Sequence, residues 1–265
     1  MPSSERFTNQ IKIGLALGSG SARGWSHIGV IEALQTHGIE PDIICGCSIG
    51  ALVGASYAAN KITALEDWVR SLSLLETARF ASLDTSLNGV INKDRLQKVL
   101  RQFIADDSFS IADLQRPFAS VATDLNSGRE VWFTEGSLLD AVWASISLPG
   151  LFPPVRHKNR WLVDGGLVNP VPVSVCRALG ADFVIAVNLN GDLVGRHIDK
   201  PVSKSEAERP AHWSDKIPWS IGDTLRQNAN ADEDDEKVPR VFETIAGSIN
   251  IIQDRITRSR MVGEP

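Results

Sequence analysis

Three cysteines in 265 residues, Cys45, Cys47 and Cys176, are too few and too unevenly placed for a disulfide framework. They fit a reducing compartment, and the expected location is cytoplasmic. The chain also lacks a basic excess: with a formal net charge of −5 it offers no electrostatic footprint for nucleic acid, and no bulk attraction to an anionic membrane. No run approaches the roughly 20 apolar residues that a membrane-spanning helix needs. Membrane contact, if made, is therefore expected to be peripheral, at the inner face. Ile13 to Leu17 is too short and too close to glycine to be a signal-peptide core.

The first 60 residues alternate in type. An apolar strand signal, Ile11 to Leu17, runs into Gly18-Ser19-Gly20-Ser21-Ala22-Arg23-Gly24, and a helical pattern follows with Ile28, Val30, Ile31 and Leu34 before Gly38. Asp42 to Cys45 predicts a second buried strand, and the small-residue run Ile49 to Ala59 a closely packed helix. Such β-α-β-α order argues for a parallel sheet covered on both faces. Helical spacing recurs over Ile62 to Phe80 and Lys93 to Ile104, which are expected to form a cap near the site. Pro117 to Asp124 and Glu130 to Thr134 read as strands joined by Asn126-Ser127-Gly128, and Ser137 to Ser147 as a helix stopped by Pro149. A short strand, Arg160 to Val163, a helix over Val171 to Leu179 and a strand over Asp182 to Leu189 suggest a further β-α-β crossover. The reading is one domain over 1–265, with a polar tail at 1–10 and a mobile, solvated insertion at 191–240, where prolines and the acidic run 232–236 interrupt any pattern. Phe242, Ile245, Ile249, Ile252 and Ile256 form an apolar stripe expected to pack a closing helix on the sheet.

Two motifs carry chemistry. Gly46-Cys47-Ser48-Ile49-Gly50 has the form of a nucleophile elbow, in which Gly46 and Gly50 let a sharp strand-to-helix turn expose the serine. Asp164-Gly165-Gly166 places a carboxylate at a strand end in a permissive turn. A serine hydroxyl needs a partner to take its proton. His27, His37, His157, His197 and His212 are not in the order or setting of a hydrolase triad, so Asp164 is the candidate base and Ser48 the nucleophile. The turn Gly18 to Gly24 opens a helix and aims backbone N–H groups at one spot, so Gly20 and Ser21 are candidate oxyanion donors, with Arg23 bracing the turn. It is not a dinucleotide fingerprint, because the third glycine position holds Arg23. Nor is it a P-loop, because Trp25 stands where lysine is required. Trp68, Leu72, Leu75, Phe103, Trp132 and Phe133 are candidates for an acyl channel, although burial preference favours the core for such residues.

Taken together, Gly18 to Gly24 with Trp25 to Val30, Gly46 to Gly50, Ala144 to Pro154, and Asp164 to Gly166 with Asn169 to Pro172 resemble the patatin-like phospholipases. Within that family they are similar to bacterial proteins of the RssA type and to the catalytic domain of neuropathy target esterase. The resemblance implies a three-layer α/β/α sandwich with a mostly parallel central sheet. It implies a Ser48–Asp164 dyad that hydrolyses lipid or lysolipid acyl esters through an acyl-enzyme without metal or cofactor. It also implies a further strand and helix beyond Pro265. Ser19 and Ser21 stand where many relatives carry glycine. Two other functions remain open from the residues: transfer of the acyl group to an alcohol acceptor, and a regulatory protein with a vestigial site that binds a partner through 191–240 and the last helix.

Overall fold

Side chains along the first strand, β1 (Ile13–Leu17), alternate between two separate cores. Leu15 and Leu17 enter one and Ala16 the other. A strand buried on both faces in this way must lie inside a sheet covered by helices on either side. The computed structural model describes residues 11–72, 98, 100–106, 108–191 and 241–263. The polar tail, residues 192–240 of the expected insertion, and both the end of the first cap pattern (73–80, with Leu75) and the start of the second lie outside the described residues.

After β1 come a 3-10 turn over Ser21–Trp25 and α1 (Ser26–Thr36). Then follow β2 (Ile43–Cys47), α2 (Ile49–Ala58) and α3 (Ile62–Ser71). The chain continues through β3 (Phe118–Asp124), β4 (Glu130–Phe133), α4 (Leu138–Ile146), β5 (Val155–His157) and β6 (Arg160–Asp164). It closes with α5 (Val173–Ala178), β7 (Phe183–Val187) and α6 (Val241–Val262). β7, β1, β2 and β3 are parallel, while β4 and β6 run antiparallel to β3. Residues of α1, α2, α3 and α4 fill the core on one face with Ile44 and Phe118. α5 packs Val175 and Cys176 against Ile43, Cys45, Ala119 and Val121 on the other. The expected three-layer α/β/α architecture with a mostly parallel sheet is therefore the one observed.

The sequence reading departs from the structure at three places. β5, three residues pairing antiparallel with β6, has no counterpart in the sequence reading. It is too short and too polar to carry a strand period. β6 runs against β3, so the path from β6 through α5 to the parallel β7 is not a parallel crossover, and β7 pairs with β1 at the far side of the sheet. The closing helix docks rotated relative to its apolar stripe: Gln253, Asp254 and Thr257 are buried, Ile249 and Ile256 are half-buried, and Ile252 is 46% exposed.

Candidate active site

Ser48 is the single residue between the end of β2 and the start of α2, and its backbone is at φ 56°, ψ −125°. A non-glycine residue in that region costs on the order of 1–3 kcal/mol, so the surroundings must hold it there. They do so on three sides. The Ser48 N–H donates to the Ser145 hydroxyl at 2.9 Å, and its carbonyl accepts from Ala51 N–H at 2.8 Å. A Cβ on Gly50 would lie 2.2 Å from the Leu17 carbonyl oxygen, so the elbow closes directly over the end of β1. Gly50→Ala forces backbone against backbone, and the variant is expected to lose about 3 kcal/mol of stability, read as a lowered urea midpoint at unchanged slope.

Asp164 reaches Ser48 through an end-to-end meeting of two strands. Cys47 of β2 pairs with Val121 of β3, and the next residue, Ala122, pairs with Asp164 of β6. β2 and β6 share one edge of β3: the Pro117 carbonyl accepts from Ile44 N–H and Leu125 N–H donates to the Trp161 carbonyl, both at odd positions. The bond to the β4 side leaves from Asp124, an even one. β2 thus arrives from one direction and β6 from the other, and their ends face each other. Gly165 fits because a Cβ there would lie 2.1 Å from the Val121 carbonyl oxygen.

The Ser48 hydroxyl donates to Asp164 Oδ2 at 2.5 Å, and the Gly166 N–H donates to Oδ1 at 2.7 Å. The Asp164 backbone is held by the Ser147 carbonyl and the Thr123 hydroxyl. The end of α4 therefore grips both partners, Ser145 the backbone of Ser48 and Ser147 that of Asp164. Burial raises the Asp164 carboxyl to about 6, against the opposing pull of the Ser48 and Gly166 donors. Cys47, next to Ser48, is no rival nucleophile. Burial first, and then the charges of Asp164 and Glu130, keep its thiol protonated.

The glycine-rich turn abuts this pair. Gly18 N–H donates to the Val187 carbonyl and Ser19 N–H to the Pro170 carbonyl, while a Cβ on Gly24 would sit 2.1 Å from the Ile49 side chain. Ser21 is in the left-handed region at φ 48°, where a glycine would be unstrained. The N–H groups of Gly20 and Ser21 have no backbone acceptor among the described residues. Arg23 donates to the Asn190 side-chain oxygen at 3.1 Å. His27 is buried with Nε2 2.8 Å from the Gly18 carbonyl; the carbonyl can only accept, so the proton is on Nε2, and burial favours the neutral ring. It anchors the turn through that contact.

Among the described candidates for an acyl channel, Trp68, Phe103 and Phe133 belong to the core and Trp132 stands apart from them. Trp68 packs on Trp25 and Phe103, and Trp132 is exposed. A cavity of about 370 Å³ lies instead over α4, between Leu139, Trp143 and Trp161, and neither Ser48 nor Asp164 lines it. Among the described residues no His, Cys, Asp and Glu cluster has the form of a metal site, and no helix is long and apolar enough to cross a membrane. Site neighbours that sequence reasoning left without a role are Ser145, Ser147, Thr123, Asn190, Gln253 and His27. Only the block Ala144 to Pro154 and the histidine after the glycine turn hinted at any of them.

A family model described as patatin-like phospholipase matches residues 15–177, more than half of the chain. An uncharacterised NTE family protein of Mycobacterium tuberculosis is 35% identical over 212 residues, covering 80% of this chain and 57% of that protein. Patatin-like phospholipase domain-containing protein 6 of Homo sapiens is 33% identical over 185 residues, and the neuropathy target esterase of Drosophila melanogaster 36% identical over 190. These alignments cover 67% and 69% of this chain but only 13% of either relative. The chain thus spans a little over half the length of the mycobacterial relative and about an eighth of the animal ones.

Proposed function

The chain belongs to the patatin-like phospholipase family, and on that footing we propose that it hydrolyses lipid acyl esters, of the phospholipase A, lysophospholipase or carboxylesterase kind, with Ser48 as nucleophile and Asp164 as general base. The observation that carries this reading is the 2.5 Å hydrogen bond from a strained, elbow-held hydroxyl to a fully buried carboxylate. An ordinary aspartate, with a pKa near ~3.9, is a weak base at neutral pH. Burial brings Asp164 to about 6, nearer the pH at which it must accept a proton and return it.

In this mechanism the Ser48 oxygen attacks the acyl carbonyl carbon while Asp164 takes the hydroxyl proton. The carbonyl π electrons move to oxygen, and the resulting oxyanion is received by the N–H groups of Gly20 and Ser21, which have no backbone acceptor among the described residues, at the start of the 3-10 turn. Collapse breaks the ester C–O bond, the departing alcohol takes the proton from Asp164, and the acyl group stays on Ser48. A water then repeats the sequence, with Asp164 as base, and releases the fatty acid and a free serine. No metal or cofactor enters any step. Contact with lipid at the inner membrane surface, or with monomers and micelles, belongs to the same proposal.

The test is lysophospholipid micelles with the purified chain, together with a fluorophosphonate probe and peptide mapping. Free fatty acid released in equal amount with the glycerophospho-alcohol, and the probe on Ser48, are the expected results. A labelled serine elsewhere, or no acid released, overturns the reading. Acyl groups recovered on added glycerol instead of in free acid would identify transfer as the dominant reaction.

A further inference from the structure

The closing helix buries polar side chains beside the half-buried Ile249 and Ile256 of its apolar stripe. Its exposed side carries Ile251 and Ile252, while Gln253, 5% exposed, points inward with Asp254 and Thr257. Burying a side-chain amide is costly unless its polar atoms are bonded, so such a face is retained where those bonds accomplish something that apolar contact does not. At Gln253 they do. The Ser19 hydroxyl donates to Gln253 Oε1 at 3.0 Å, and the Asn190 amide donates to both the Ser19 hydroxyl, at 2.8 Å, and Gln253 Oε1, at 3.2 Å. The remaining Asn190 oxygen accepts from Arg23. Ser19 and Asn190 are each 1% exposed, so this triangle is buried.

Its position ties it to the site. Ser19 immediately precedes Gly20 and Ser21, and Arg23 lies within the same turn. On its other side the Gln253 amide nitrogen lies 2.4 Å from where a Cβ on Gly166 would be, and Gly166 is the donor to Asp164 Oδ1. One side chain, 234 residues from Ser19 along the chain, therefore touches both the turn that offers the oxyanion donors and the turn that orients the base.

We propose that Gln253 is a positioning residue for the hydrolysis, holding the glycine-rich turn in register with the Asp164 turn so that Gly20 and Ser21 present their N–H groups where the oxyanion forms. The proposal rests on the hydrolase reading above. It makes α6 a working part of the site and gives Ser19 a purpose that glycine at that position lacks: its hydroxyl is the handle by which the helix holds the turn. An oxyanion donor displaced by about 1 Å costs on the order of 100-fold in rate without weakening ground-state binding of the ester, which sets the size of the effect.

The test compares Gln253→Ala, Ser19→Ala, the double variant and Ile252→Ser, a change on the exposed side of the same helix. Turnover of a short-chain soluble acyl ester is measured with melting temperature and amide hydrogen exchange. Gln253→Ala and Ser19→Ala are each expected to lower kcat about 10- to 100-fold with KM unchanged and the pH midpoint still near 6. The double variant is expected to fall no further than the worse single, because both remove one coupling. Amides of Gly20 to Arg23 are expected to exchange at least about 10-fold faster while those of β1 and β2 stay protected, and Ile252→Ser is expected to match wild type. Wild-type kcat in Gln253→Ala, losses that multiply in the double variant, or a loss matched by Ile252→Ser overturns the proposal. Should Gln253→Ala fail to fold, Ser19→Ala alone decides it on the same kcat and KM criterion. A wild type without esterase activity sinks the hydrolase reading, and the exchange of Gly20 to Arg23 then still decides whether Gln253 holds the turn.

Discussion

Ser48→Ala is expected to reduce kcat/KM for acyl-ester hydrolysis by about 10⁴-fold or more, with fluorophosphonate labelling lost and the fold retained. In the proposed mechanism the hydroxyl forms the acyl bond, and the neighbouring Cys47 is buried with its thiol held in the neutral form, so it does not stand ready to replace Ser48. The elbow itself should survive. Alanine carries the same backbone cost at φ 56° as serine, and the bond from the residue 48 N–H to Ser145 does not use the side chain. One electrostatic consequence distinguishes this variant from a simple deletion. The Ser48 hydroxyl is one of two donors that stabilise the Asp164 carboxylate, so its removal moves the carboxyl further above its already raised value. Ester hydrolysis in a spectrophotometric assay, with the thermal transition recorded across pH, checks both parts. Turnover within about tenfold of wild type would remove Ser48 from the mechanism.

Asp164→Asn separates catalysis from stability in opposite directions. Activity is expected to drop about 10³- to 10⁴-fold, because asparagine keeps the shape and accepts from Gly166 N–H but cannot take the Ser48 proton. The wild-type kcat/KM is expected to fall tenfold per pH unit below about 6 as the base becomes protonated, and the residual activity of the variant to lack that inflection. Stability follows from the same carboxyl. Its folded pKa, about 6, is above the unfolded value near ~3.9, so the folded state binds the proton more tightly. The stabilisation that this proton supplies is complete below pH ~3.9 and is lost as pH rises through about 6. At neutral pH the buried charge therefore costs about 3 kcal/mol, a cost that asparagine does not carry. The variant is expected to be the more stable protein at pH 7, by up to that amount, and the difference to vanish near pH 4. Urea titrations of both proteins between pH 4 and 8 measure it, and parallel curves would mean that Asp164 does not titrate as a buried group.

How far the sequence showed the fold varies with the reach of each signal. Ile13 to Leu17 and Ile43 to Cys47 are dense apolar runs bounded by glycine or proline, and their burial on two faces follows from that density. β5 escaped because three residues, one of them Arg156, cannot display a period. The direction of β6 escaped because a strand of five residues carries no mark of whether its neighbour is parallel. The rotation of α6 away from its apolar stripe escaped for a deeper reason. An apolar stripe reports an average preference for burial, whereas Gln253 is drawn in by three specific hydrogen-bonding partners or neighbours, Ser19, Asn190 and Gly166, on segments remote from it in the chain.

The chain by itself determined which atoms were available for chemistry. Glycines on either side of Ser48 and after Asp164 mark places where only a bare backbone fits, and that is a local steric property written into residue type. Tertiary structure alone decided that these places coincide: β2 and β6 end at consecutive positions of one edge of β3, which brings a hydroxyl and a carboxylate 116 residues apart to 2.5 Å. It alone also decided that the carboxylate is dry enough to titrate near 6 and that a helix from the far end of the chain holds the adjoining turn. Strand pairing, solvent exclusion and the reach of a buried amide are sums over contacts between distant segments, and no window of neighbouring residues contains them.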